Sequence, residues 1–120
     1  MMNIPLSTIS GNLGQHQQLE EILTRVEQKF KQVYQDNLIN LVLFGSQARG
    51  DAKPDSDIDV LVILKEKNYN DVQHQKIITF ISDLCMEYGV LVSCVYVSES
   101  QFKQEKSPLL LNIRQEGIFL

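Results

Sequence analysis

The amino-acid sequence predicts an α+β fold in two layers, and three observations carry that expectation. Apolar runs of strand length, Leu38 to Phe44, Val60 to Leu64 and Val90 to Val97, are bounded by Asn, Asp and Gly. Two longer stretches, near residues 15–35 and 71–88, repeat apolar residues every three or four positions, the period of a helix with one buried face. With 120 residues in all, the chain is expected to form a single domain over 1–120.

Residues 1–14 carry Pro5, Gly11 and Gly14 among Ser and Asn, which suits an irregular lead-in. From Gln15 to Gln35, Leu19, Ile22, Leu23, Val26, Phe30 and Val33 mark the inner face of a first helix. Leu38 to Phe44 then forms a buried strand that exits at Gly45. Ser46 to Arg49 makes one helical turn, ended by Gly50, and Asp51 to Ser56 is loop, with Pro54 inside it. Asp57-Ile58-Asp59 leads into Val60 to Leu64, an unbroken apolar run of the kind covered on both faces. Asp71 to Tyr88 is the second long helix, with Val72, Ile77, Ile78, Ile81, Leu84 and Cys85 inward and Gly89 as its stop. Val90 to Val97 is the third strand. Ser98 caps a short helix reaching about Lys106, and Ser107-Pro108 opens another that carries Leu109, Leu110, Leu111 and Ile113. The order is α-β-turn-β-α-β-α.

A net charge of −4 argues against a surface built for direct nucleic-acid binding, which carries a basic surplus. It leaves a nucleotide ligand open, because a bound cation supplies positive charge locally. Cys85 and Cys94 lack metal-ligand spacing and read as buried free thiols of a reducing compartment. No apolar run reaches the ~18 residues of a membrane helix and no signal peptide is legible, so a cytoplasmic location is expected. The apolar residues of 109–120 suit a core or a partner equally, and an oligomer stays open.

The chemistry concentrates between Gly45 and Asp59. A glycine at the strand exit lets the backbone turn sharply and lets a phosphate approach without a Cβ in the way. Ser46 offers a hydroxyl and a backbone N–H together, and a helical turn opening there faces its N–H groups toward an anion. Arg49 can reach a triphosphate or pair with a nearby acid, whereas Lys53 reads as solvated surface. Residues i and i+2 of a strand share a face, so Asp57 and Asp59 project together while Ile58 points the other way. Two carboxylates at the mouth of a buried strand repel, and either a proton or a cation relieves them. Mg²⁺ suits such a place, being a hard ion that binds one or two carboxylates together with water and phosphate oxygens.

Gly45-Ser46-x10-Asp57-x-Asp59 resembles the signature of the polymerase-β-like nucleotidyltransferase superfamily. The fuller form, Leu43 to Gly50 followed by Ser56-Asp57-Ile58-Asp59, is similar to its minimal nucleotidyltransferase (MNT) branch, and so are the length and the closing Ser107-Pro108-Leu109 to Leu120 segment. The resemblance implies a small mixed sheet packed against helices and Mg·ATP as the substrate complex. Asp57 and Asp59 would be the metal ligands and catalytic carboxylates, and Gly45, Ser46 and Arg49 the nucleotide-binding residues. It also implies AMP transfer from ATP to a protein hydroxyl, the tyrosine of a HEPN-domain toxin, with this chain as the antitoxin. Two metal ions ~3.5–4 Å apart would stabilise the attacking and leaving oxygens.

The superfamily pattern includes a third carboxylate on a later strand. Val90 to Val97 contains no acid, and Ser93 stands at the expected position, so Glu99 or a partner's acid would have to complete the site. This departure supports a second reading, a nucleotide-binding antitoxin that neutralises its partner by direct binding. A third, nucleotidylation of a small molecule, is opposed by the lack of room for a substrate domain. His16 and His74 read as surface positions, and Tyr34, Tyr69, Tyr88 and Tyr96 as packing residues.

Overall fold

Strand β1 (Leu38–Phe44) is the seven-residue apolar run read from the sequence, and every other element is arranged around it. In the computed structural model, which describes residues 17–53, 55–67 and 70–120, helix α1 (Leu19–Tyr34) and a 3₁₀ turn (Gln35–Asn37) precede it. There follow α2 (Ser46–Arg49), β2 (Ile58–Leu64), α3 (Asp71–Tyr88), β3 (Val92–Ser98), α4 (Glu99–Gln104), α5 (Pro108–Glu116) and β4 (Ile118–Phe119). The expected lead-in over 1–14, the helix start at Gln15, and His16, Pro54 and Tyr69 lie outside the described residues.

The sheet is mixed, in the order β3-β2-β1-β4. β1 lies antiparallel to β2 and to β4, while β2 and β3 are parallel and joined by α3 as the crossover. Strand alternation divides β2 between two cores. Ile58, Val60, Val62 and Leu64 pack with Leu19, Ile22, Leu23, Val26 and Phe30 of α1 and with Ile77 and Leu84 of α3. Leu61 and Ile63 face the other way, against Val42, Val97 and Leu110 and Ile113 of α5. Burial on both faces explains the uninterrupted apolar spelling of this strand.

Local capping chemistry sets most boundaries. Asn70 caps α3 by accepting from the Gln73 N–H, and Gly89 ends it in the left-handed conformation at φ 63°. Ser98 and Gln101 form a reciprocal capping box at α4, and Pro108 occupies the first turn of α5. β3 begins at Val92 rather than Val90, because the Val90 N–H is used to bond the Cys85 carbonyl at the end of α3. α4 ends at Gln104, short of Lys106, where the side chain of Arg114 bonds the Phe102 and Glu105 carbonyls.

Two expectations need correction. Val72 and Ile78 were assigned to the inner face of α3, yet they are 65% and 46% exposed, while Ile77 and Leu84 are buried and Ile81 and Cys85 partly so. At about 100° per residue, Ile78 falls on the flank of the helix beside Ile77. The closing segment also contains β4, unread in the sequence, which pairs Phe119 with Val42 and Ile118 with Leu43. Gly117 permits that return: a Cβ there would lie 2.5 Å from the Ile113 carbonyl and 2.6 Å from Val42 Cγ1.

Among the described residues no helix is long and apolar enough to cross a membrane. Both cysteines are free thiols, and burial pushes Cys94, with Cys85 adding to it, up to about 12.

Phe30 is fully buried between the sheet and α3, so Phe30→Ala is expected to lower unfolding free energy by about 3–5 kcal/mol in urea denaturation. A thiol that is neutral at pH 8 reacts slowly. Mass spectrometry after iodoacetamide treatment at that pH is expected to show Cys94 unmodified in the folded chain and modified in denaturant.

Candidate active site

The last residue pair of the β1–β2 ladder joins Phe44 to Asp59, and the site is built where that ladder ends. Gly45 leaves β1 with φ 74° and ψ −156°, a conformation open to glycine and strained for other residues. A Cβ on Gly45 would stand 2.6 Å from Asp59 Oδ2, so the missing side chain is also what admits the carboxylate. Ser46 then opens α2. The Ala48 and Arg49 N–H groups donate to the Gly45 carbonyl at 3.1 Å, and Gly50 closes the turn in the left-handed region at φ 84°.

Gln47 is the residue that sequence reasoning passed over. It is fully buried, and its amide nitrogen donates to the Ser56 carbonyl at 3.2 Å. Ser56 is fixed further, since its Oγ accepts from the Lys53 N–H at 2.8 Å and its own N–H donates to the Lys53 carbonyl at 2.9 Å. The loop from α2 to β2 is thereby tied to the floor of the turn, directly before Asp57. A lone Gln inside a four-residue helical turn carries no periodicity, so only the contact identifies it.

Asp57 is exposed at the mouth of β2, Ile58 is fully buried on the opposite face, and Asp59 is half-buried. Burial raises the Asp59 carboxyl above its usual range, and the charge of Asp57 raises it further; Arg49 acts in the opposite sense. Asp57 and Arg49 thus both lie close enough to influence the charge of Asp59. Arg49 is also engaged elsewhere. Its Nε lies 3.2 Å from Asp51 Oδ2 and its Nη1 3.5 Å from Glu116 Oε2, which links the end of α5 to the site. Lys53 is exposed, as expected.

On the other flank of Asp59 the register partner in β3 is Ser93. Glu99 does not compensate. It follows Ser98, the partner of Leu64, at the opposite end of the strands, roughly 17 Å from the Asp59 level at ~3.3 Å per residue. There it heads α4 and pairs with Lys103 at 3.5 Å. Among the described residues no three His, Cys, Asp or Glu side chains converge as a ready-made metal cage.

The donor set nonetheless suits a hard divalent cation. Two carboxylates meet at a partly desolvated strand end, and the nearest compensating cation is shared with two other acids.

Residues 19–116 match the sequence profile of the nucleotidyltransferase domain. The chain belongs to that family. Two Methanocaldococcus jannaschii proteins, each named "Putative protein adenylyltransferase", align with this nucleotidyltransferase domain. MJ1305 is 34% identical over 79% of the chain, and the chain spans 66% of it, just under two thirds. MJ0604 is 30% identical over 82% of the chain and 93% of its own length. In fold, the nucleotidyltransferase domain is similar to a chain in the crystal structure of a mutant MntA–HpeT toxin–antitoxin, with TM-score 0.54 and 18% identity over 82% of this chain and 70% of that one. A chain of a toxin–antitoxin structure with AMP-PNP gives 0.50 and 21%, over 78% and 70%. At such identities the likeness concerns the fold, and the α+β, polymerase-β-like architecture expected from the sequence is borne out.

Gly45→Ala is expected to force either the turn or the Asp59 carboxylate out of place. It should cost about 1–3 kcal/mol in denaturant unfolding, from strain and overpacking together.

Proposed function

We propose that this nucleotidyltransferase transfers AMP from ATP to a hydroxyl of a protein partner, a tyrosine of a HEPN-class toxin, and thereby acts as its antitoxin. The observation that carries the reading is the meeting of the Gly45-Ser46 turn with the Asp57–Asp59 pair at one strand end. The names of the aligned relatives, and the assemblies in which the fold neighbours occur, point the same way.

In this reading Gly45 leaves the space, and Ser46 with the first amides of α2 holds the β- and γ-phosphates. Arg49, released from Asp51 and Glu116, turns to the triphosphate. Asp57 and Asp59 would hold Mg²⁺, which when bound supplies the positive charge that draws the triphosphate and polarises its phosphoryl oxygens. The residues of the turn align the α-phosphorus toward the open side of the sheet, where the acceptor oxygen attacks. A bond forms from that oxygen to the α-phosphorus, the bond to the α–β bridging oxygen breaks, and pyrophosphate leaves with the electron pair. The hydroxyl proton passes to water.

Ser93 beside Asp59 favours a second reading, in which the chain neutralises its partner by covering it and the nucleotide site is vestigial. The two readings separate on one pair of variants. Under the enzymatic reading, intact-mass spectrometry of the partner after incubation with Mg·ATP shows added adenylate. Asp57→Asn or Asp59→Asn should slow that modification on the order of a hundredfold or more and abolish protection. A double variant that still silences the partner, with no mass gain from the native chain, would establish the covering mode instead.

A further inference from the structure

Gln47 is the one buried polar side chain among the described residues, and its amide nitrogen donates to the Ser56 carbonyl at 3.2 Å. That carbonyl and the Asp57 N–H belong to one planar peptide unit, so a bond that orients the first also orients the second. Ser56 is held on its other side as well. Its N–H donates to the Lys53 carbonyl at 2.9 Å, and its Oγ accepts from the Lys53 N–H at 2.8 Å. Beyond Asp57, the Ile58 N–H donates to the Leu91 carbonyl at 2.9 Å. Asp57 therefore sits between two pinned peptide planes, one held from the entrance of β3 and the other by Gln47.

The two carboxylates of the strand mouth are held by different means. Asp59 has a register partner on each side, Phe44 in β1 and Ser93 in β3. Asp57 stands before the first residue of β2, is exposed, and has no partner in either ladder. Sheet pairing fixes the one and leaves the other to the loop. An exposed amide at position 47 would trade its bond for water at little cost. A buried amide keeps the bond, because breaking it strands polar atoms away from solvent.

We propose that Gln47 is a positioning residue for Asp57, its buried amide setting the backbone from which that carboxylate leaves the loop. The inference rests on the proposed role of Asp57 and deepens it, since Gln47 also belongs to α2, the turn assigned to the phosphates. One side chain thereby makes the phosphate-holding turn and the first carboxylate a single unit. The ladder that places Asp59 takes no part in it.

Two measurements on the whole chain test the assignment, both with Gln47→Met, which is close in size but has no donor. The first needs no ligand and follows amide hydrogen exchange by NMR. Exchange at the Ser56 N–H is expected to quicken on the order of tenfold or more, while Leu61 and Val62 within β2 keep native rates. An unchanged rate at Ser56 would overturn the proposal, and so would equal acceleration along β2, the mark of general loosening.

The second measurement is calorimetric binding of AMP-PNP, with and without Mg²⁺. Gln47→Met should weaken binding on the order of tenfold when Mg²⁺ is present and leave the Mg²⁺-free affinity at the native level. Equal weakening in both conditions would assign the effect to α2 itself and overturn a role through Asp57. Should Gln47→Met fail to fold, Gln47→Asn decides by the same readouts, since it keeps the amide but falls one methylene short of Ser56. Asp57→Asn guards the underlying reading. Native-level Mg²⁺-dependent binding in that variant would remove Asp57 from the proposed function, an outcome distinct from an unchanged Ser56 exchange rate in Gln47→Met.

Discussion

The approach of the Asp59 carboxylate to the α-carbon of Gly45 is the contact on which the site depends. The β1–β2 ladder runs from Leu38 opposite Leu64 to Phe44 opposite Asp59, so its final pair brings the strand exit of β1 beside the strand entrance of β2. A side chain at position 45 would meet Asp59 Oδ2 at 2.6 Å and would also oppose the positive φ of the turn. Glycine removes both obstacles together. The carboxylate and the N-terminal end of α2 can then face one space, the arrangement that a phosphate and a cation require together.

The electrostatics of that space are deliberately unbalanced. Asp59 is held in a partly dry position that disfavours its charge, and Asp57 adds repulsion. Arg49 offsets part of this, but Asp51 and Glu116 draw its guanidinium outward by hydrogen bonds and charge. Buried or half-buried carboxylates in this condition gain most from a cation that can approach both. Under the proposed function, such a cation is what would let an acidic chain attract a more acidic ligand.

The sheet keeps stability and chemistry on different surfaces. One face of β2, through Ile58, Val60, Val62 and Leu64, is closed by α1 and α3. The other face is closed by α5 over Leu61 and Ile63, toward the end where β3 runs into α4. Asp59 and Ser93 share that second face at its opposite end and stay half-buried. A rigid, doubly packed strand thus carries the residues that the proposed function assigns to the site, which suits chemistry that depends on fixed geometry.

Much of this was legible in the sequence because it is decided locally. The bounds of β1, α2 and α3 follow from apolar period and three glycines, all within a few residues of the ends they set. The x10 spacing between Ser46 and Asp57 was likewise readable as a turn and a strand mouth that meet. What the tertiary structure decided involves partners far apart in the chain. Gln47 matters only because the Ser56 carbonyl lies within its reach. Arg49 meets Glu116 from the far end of the sequence. β4 exists because Gly117 lets the terminus close onto Val42. Glu99, near Ser93 in sequence, is removed from Asp59 by the length of a strand. Residues along one chain fix their own backbone preferences, whereas a charge, a buried amide or an edge strand acquires its role only from what the folded sheet sets beside it.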